Sequence, residues 1–94
     1  MPVRAKRVDD NQKRIVDQLR RLNISVQHLH TVGKGCPDLL LGFRNKNFLI
    51  ELKDGKKSAS AKKLTDDEQE FFDEWNGQVN KCETLEEILK VIGL

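Results

Sequence analysis

Three side chains of this 94-residue chain have the types and spacing that metal-assisted hydrolysis needs: Asp38, in Gly35-Cys36-Pro37-Asp38, and then Glu51 and Lys53 in Glu51-Leu52-Lys53. A hard divalent cation such as Mg²⁺ takes oxygen ligands, keeps several waters, and is commonly held by one or two carboxylates plus substrate phosphate oxygens. Asp38 and Glu51 supply that minimum, and the Leu52 carbonyl adds a main-chain oxygen if it turns inward where its strand ends. The Lys53 ammonium would steer an attacking water, or offset negative charge growing on a phosphate in the transition state. That chemistry is phosphodiester cleavage. A covalent triad has no support, since no serine elbow is present and Cys36 and Cys82 lack metal-site or redox spacing.

Strand geometry must bring the three together. Leu39 to Phe43 and Phe48 to Lys53 are short apolar runs joined by the polar Arg44-Asn45-Lys46-Asn47, which spells a β-hairpin. A turn centred between Asn45 and Lys46 sets Asp38 across from Lys53 and Leu40 across from Glu51. Side chains alternate faces along a strand, so Asp38, Glu51 and Lys53 then share one face near the open end of the hairpin. A slip of one residue would throw Asp38 to the other face. Each part also has a plainer reading: a solvated E-x-K on an exposed strand, and a strand-entry proline followed by a turn aspartate. Glu51 argues against the first, because it interrupts an apolar run that suggests burial on both sides, where an unpaired carboxylate costs roughly several kcal/mol.

The remaining elements follow from periodicity and caps. A first helix starts near Asp9 or Asp10 and presents Ile15, Val16, Leu19 and Leu22 to a core. Ile24 to His30 alternates as a strand, with Ile24, Val26, His28 and His30 on one face; His30 is either a site residue or a packed strand histidine. Thr31 to Gly35 is a glycine-containing loop, and Asp54 to Lys63 a small, polar one. Thr65 with Glu68 forms a capping box that starts a second helix at about Asp66, with Phe71, Phe72 and Trp75 as its buried or subunit-contacting side. Gly77 ends that helix, Gln78 to Cys82 is a last strand, and Thr84 opens a terminal helix carrying Leu85, Ile88, Leu89 and Ile92. The order α-β-β-β-α-β-α predicts one α/β (α+β) domain over residues 1–94, a mixed sheet flanked by helices.

At these residues the chain resembles the PD-(D/E)xK nuclease superfamily, and more narrowly its stand-alone VRR-NUC members of bacteria and phages. The likeness runs through Ile15 to Leu22, Ile24 to His30, Gly33 to Leu40, Glu51 to Lys53, the basic loop Asp54 to Lys63, and Leu64-Thr65-Asp66-Asp67-Glu68-Gln69. It implies a restriction-endonuclease-like fold and a Mg²⁺- or Mn²⁺-dependent endonuclease. Asp38 and Glu51 would be ligands, Lys53 the catalytic amine, and Gln69 a helix residue near Lys53. It further implies a homodimer acting on branched DNA, as Holliday-junction resolvases do. One position departs from the pattern: members commonly carry a glutamate where this chain has Gln12. An amide orients a water but is a poor ligand and no base, so either Gln12 does that milder job or Asp9 or Asp10 substitutes. The departure favours an alternative, a non-catalytic nucleic-acid-binding module or regulatory subunit of a larger nuclease. An RNA-processing nuclease with the same centre is a third reading.

Charge distribution agrees with a phosphate-rich partner. The net charge of +2 divides into +4 over residues 1–43, +5 over 44–63 and −7 over 64–94. Lys34, Arg44, Lys46, Lys56, Lys57, Lys62 and Lys63 are the candidate nucleic-acid contacts, and such binding weakens steeply with salt. The same lysines would also serve a merely solubilising loop. With 37% hydrophobic and 34% charged residues, no apolar run near membrane-span length, and a basic start without a signal-peptide middle, the expectation is a cytoplasmic protein with two free thiols, and the resemblance implies a bacterial or phage source.

Overall fold

The structure, a computed structural model, describes residues 11–94. Its elements in chain order are α1 (Gln12–Arg21), β1 (Ser25–His28), β2 (Leu39–Phe43), β3 (Lys46–Leu52), α2 (Ala59–Lys62), α3 (Asp66–Glu74), β4 (Asn80–Cys82) and α4 (Leu85–Ile92). The four strands form one mixed sheet in the order β1-β2-β3-β4, antiparallel except for the parallel β3–β4 pair. The expected mixed sheet flanked by helices is present. Among the described residues no helix is long and apolar enough to cross a membrane.

Local chemistry sets most element boundaries. α1 ends where Asn23 takes a left-handed conformation, with Asn23 N–H donating to the Arg20 carbonyl and Ile24 N–H to the Leu19 carbonyl. This Schellman closure satisfies carbonyls that the helix end leaves open. The beginning of α1 near Asp9 or Asp10 lies outside the described residues. The basic stretch after β3 is not wholly a loop, because Ser58 caps a single helical turn, its Oγ accepting from the Ala61 N–H. β4 is shorter than expected, starting at Asn80. Ahead of it the Gln78 amide substitutes for a strand residue, accepting from Leu49 N–H at 2.7 Å and donating to the Leu49 carbonyl at 2.8 Å.

The hairpin register differs from the expected one. Arg44 and Asn45 both have positive φ, 52° and 65°, and form a two-residue turn of type I′ character whose twist suits the flanking strands. Lys46 therefore already belongs to β3, and Leu40 faces Leu49 rather than Glu51. Continuing that register past Leu39↔Ile50 sets Asp38 opposite Glu51, not Lys53. The shift preserves parity, so Asp38, Glu51 and Lys53 keep a common face.

The other face carries the core. Leu39, Leu41, Ile50, Leu52 and Cys82 pack there against Ile15, Val16 and Leu19 of α1 and Ile88 and Ile92 of α4, all buried. The face bearing the acids is covered only in part, by α3. Within α3 the single buried residue is Glu68, while Phe71 and Phe72 are half-buried and Trp75 is 47% exposed. The expected buried aromatic side of this helix is thus largely open. α3 also ends before Gly77, with Trp75 as its C-cap in extended conformation.

Among the described residues neither cysteine forms a disulfide. Cys82 sits in the core, and burial, aided by the Glu87 charge, pushes its thiol up to about 11. Cys36 is only half-buried. A thiol reagent applied to the native chain should therefore modify one cysteine quickly, Cys36, and the second only on denaturation; two equivalents reacting at equal rates would contradict this burial.

Candidate active site

Asp38, Glu51 and Lys53 converge where β2 begins and β3 ends, and all three are buried, at 3%, 1% and 8% exposure. Asp38 is fixed through both main chain and side chain. Its carbonyl accepts from Leu29 N–H at 2.8 Å, and its Oδ2 accepts from Leu52 N–H at 2.8 Å. Glu51 does lie in a strand buried on both sides, between Ile50 and Leu52. Leu52 itself points into the core and pairs with Cys82, and it supplies the site with the N–H that holds Asp38.

Lys53 carries the ionic geometry. Its Nζ lies 2.8 Å from Glu68 Oε1 and 3.5 Å from Glu51 Oε2. Its N–H donates to the Cys82 carbonyl, and its own carbonyl accepts from Asn11 Nδ2. Glu68 is the acidic member of the expected capping box, at the third position of the helix. Its Oε1 also accepts from Thr65 N–H at 2.9 Å, while Thr65 Oγ1 accepts from Glu68 N–H at 3.2 Å. One carboxylate oxygen thus anchors the start of α3 and receives the Lys53 ammonium.

Gln69 was expected near Lys53. It instead faces solvent and donates to Asp73 Oδ1 at 2.9 Å, one turn further along α3. The helix residue that reaches Lys53 is its neighbour Glu68. The capping box was the signal for it, because a capping-box glutamate folds back toward the residue preceding the helix and away from solvent. Gly35 joins the same turn: it has φ +75°, and a Cβ there would collide with the Asp67 carbonyl. The loop that carries Asp38 is therefore packed against the helix turn that carries Glu68.

Gln12 is buried at 1% exposure, but on the α1 side of the sheet. Its Nε2 is 3.2 Å from Nδ1 of His28, whose strand partner Leu39 belongs to the core face. Gln12 Oε1, Asn11 Oδ1 and His30 Nδ1 are buried without a hydrogen-bond partner among the described residues. His30 packs edge-on to His28, with ring centroids 5.6 Å apart. Burial lowers the His28 pKa below its ordinary 6.5, helped by the charges of Arg20 and His30, while Asp38 pulls it the other way. The fold thus favours neutral His28 and binds fewer protons than the unfolded chain. Stability contributed by this residue is complete above 6.5 and declines as pH falls below it. A His28→Asn variant should therefore lose part of the difference in melting temperature between pH 7.5 and pH 5.5, values chosen to flank about 6.5; an unchanged difference would count against the shift.

The seven basic candidates are divided among three places. Lys56, Lys57, Lys62 and Lys63 follow β3 at the site end of the sheet, with Lys62 Nζ held 3.4 Å from Glu83. Arg44 and Lys46 occupy the hairpin tip, about 20 Å away along β3 at strand rise, and Arg44 stacks over the Phe43 ring at 4.7 Å. Lys34 is exposed in the loop before Asp38. The cluster expected around the carboxylates therefore excludes the two residues at the tip.

The donors at the centre are of the kind a hard cation takes, two buried carboxylates with oxygen atoms alone. Among the described residues no group of three or more His, Cys, Asp or Glu side chains is arranged to hold a metal ion. Comparisons with protein-family models, with curated proteins and with solved structures find no match to this chain.

Proposed function

We propose that the chain is a metal-dependent nuclease with a restriction-endonuclease-like fold, hydrolysing phosphodiester bonds in branched or structured DNA as a homodimer. The observation that carries this reading is the placement of Asp38, Glu51 and Lys53 on one sheet face, all buried, with Asp38 hydrogen-bonded to Leu52 N–H and Glu51 ion-paired with Lys53. Asp38 and Glu51 would hold Mg²⁺ or Mn²⁺, a demand that two carboxylates and a substrate phosphate meet without a third protein ligand. The cation would supply charge stabilisation at the phosphate. Lys53, steadied by Glu68, would direct its ammonium toward the same charge, and lysines after β3 would hold the flanking backbone. Gln12, on the other side of the sheet, is left as a polar neighbour of His28.

A second reading is a nucleic-acid-binding module or regulatory subunit without turnover, and it asks less of the geometry. It is favoured by the lack of a three-donor metal cluster among the described residues, by the engagement of Lys53 with two carboxylates, and by an amide at position 12. It needs only the basic segments.

Labelled linear, flapped and four-way DNA, incubated with the chain with and without Mn²⁺, separates the readings. Metal-dependent product that disappears in Asp38→Asn supports the nuclease. Shifted bands without product support the binder, and ribose substrates in the same assay separate RNA from DNA processing.

A further inference from the structure

We infer that a cavity between α1 and β1, on the α1 side of the sheet, binds a borderline divalent ion such as Zn²⁺ through His28, His30 and the Gln12 amide. The inference does not rest on the nuclease reading. The cavity measures about 260 Å³, and all three residues line it. Gln12 is 1% exposed, yet its Oε1 has no hydrogen-bond partner among the described residues, and the buried Nδ1 of His30 has none either. Buried polar atoms are satisfied in nearly every case, so two orphans on residues lining one cavity point to a ligand.

Distances suit one ion. His28 and His30 are two positions apart at the end of β1, and their ring centroids lie 5.6 Å from each other. Imidazole nitrogens bound at about 2.0–2.1 Å to one tetrahedral ion bring the centroids to roughly 5 Å, so a small turn of either ring closes the pair. The Gln12 amide is 3.2 Å from His28 Nδ1, and neighbouring donors on the same ion stand roughly 3.3 Å apart. An amide offers a cation its oxygen, and turning the group over brings Oε1 to that place. Among the described residues no third His, Cys, Asp or Glu joins the two histidines. Imidazole therefore carries the affinity, with the amide as a weak third donor and water completing the shell. Such a set selects Zn²⁺, Ni²⁺ or Cu²⁺ over the hard cations that carboxylates prefer. Lys13 and Arg20 also border the cavity, but Lys13 is paired with Asp17 at 3.2 Å and Arg20 donates to the Val26 carbonyl, so both cations are engaged elsewhere than on an anion. The ion would tie α1 to the end of β1, next to the Leu29 N–H that holds the Asp38 carbonyl.

The test uses the full chain carrying Asp38→Asn, which removes a ligand of the ion proposed at the carboxylates and leaves this site intact. The chain has two histidines, so their ring-nitrogen NMR signals are read directly. One equivalent of Zn²⁺ should shift both rings together, and excess Mg²⁺ should not reverse the shift. His30→Ala should weaken Zn²⁺ binding by more than about tenfold with an unchanged circular dichroism spectrum. Gln12→Glu, which adds a charge to the third donor, should tighten it, a gain that damage to the fold would not produce. Rings that ignore Zn²⁺, or a response from one ring alone, overturn the inference. So does a shift produced by inorganic phosphate and not by Zn²⁺, which would make the cavity an anion site. Because Asp38 is already replaced, none of these outcomes tests the cleavage chemistry, and a wild-type chain that never cuts leaves this site standing.

Discussion

Glu68→Ala is expected to cost the folded chain about 3–5 kcal/mol, the loss that follows when one partner of a buried ion pair is removed. The substitution strips the Lys53 ammonium of its 2.8 Å partner and deprives Thr65 N–H of its acceptor in the same step. Glu51, at 3.5 Å, offsets part of the loss, which keeps the expectation within that range. Small domains have about 5–15 kcal/mol in total. At about 4–8 °C per kcal/mol for a chain of this size, the melting temperature should fall by about 12 °C or more. Thr65→Ala removes only a cap and should cost about 1 kcal/mol. Glu68→Gln keeps an oxygen for both contacts and should fall between the two. Urea unfolding of the three variants checks the order, and a Glu68→Ala chain as stable as Thr65→Ala would mean that Lys53 does not depend on α3.

Asp38→Asn separates chemistry from folding. Asparagine retains an oxygen that can accept from Leu52 N–H, so the strand ends stay joined and stability should change by about 1 kcal/mol at most. What is lost is the negative charge that a divalent cation needs. Under the nuclease reading, Mn²⁺ affinity and single-turnover cleavage should each drop by more than about 100-fold, beyond what the loss of a group supporting a metal ligand typically causes. Glu51→Gln should behave alike. Cleavage at the wild-type rate by either variant would remove these carboxylates from the reaction. Unaltered DNA binding by both, in a chain that never cuts, would support the binding module.

Some of this was legible because it depends on near neighbours. Thr65 and Glu68 are three positions apart, and their capping box formed as read. Ile15, Val16 and Leu19 lie on one stripe of a helix and are buried, whereas Leu22, expected with them, is the helix C-cap and 43% exposed. Leu39 and Leu41 alternate with Leu40 in the hairpin, and that alternation is reproduced in their burial. Glu51, an acid inside an apolar strand, announced a buried carboxylate, and its exposure is 1%.

Other features were hidden for definable reasons. Registers that move Asp38 from Lys53 to Glu51 have the same parity, so the hydrophobic pattern cannot choose between them. The choice came from Arg44 and Asn45 both adopting left-handed conformations, which makes the turn two residues long. Gln78 read as the first residue of the last strand, whereas it joins the sheet through the side-chain atoms of its amide, a mode that periodicity does not distinguish. The exposure of Trp75 depends on how much of the sheet α3 covers, a property of three dimensions.

By itself the sequence determined the helical stripes, the alternating strands, the caps and the common face of Asp38, Glu51 and Lys53, since each follows from a repeat of fixed period along the chain. Tertiary structure alone decided that Glu68 rather than Gln69 receives Lys53, that Gln12 joins His28, and that Arg44 and Lys46 lie far from the carboxylates. Those outcomes depend on which distant segments meet, and the spacing of residues along a chain does not encode the distance between elements once they pack.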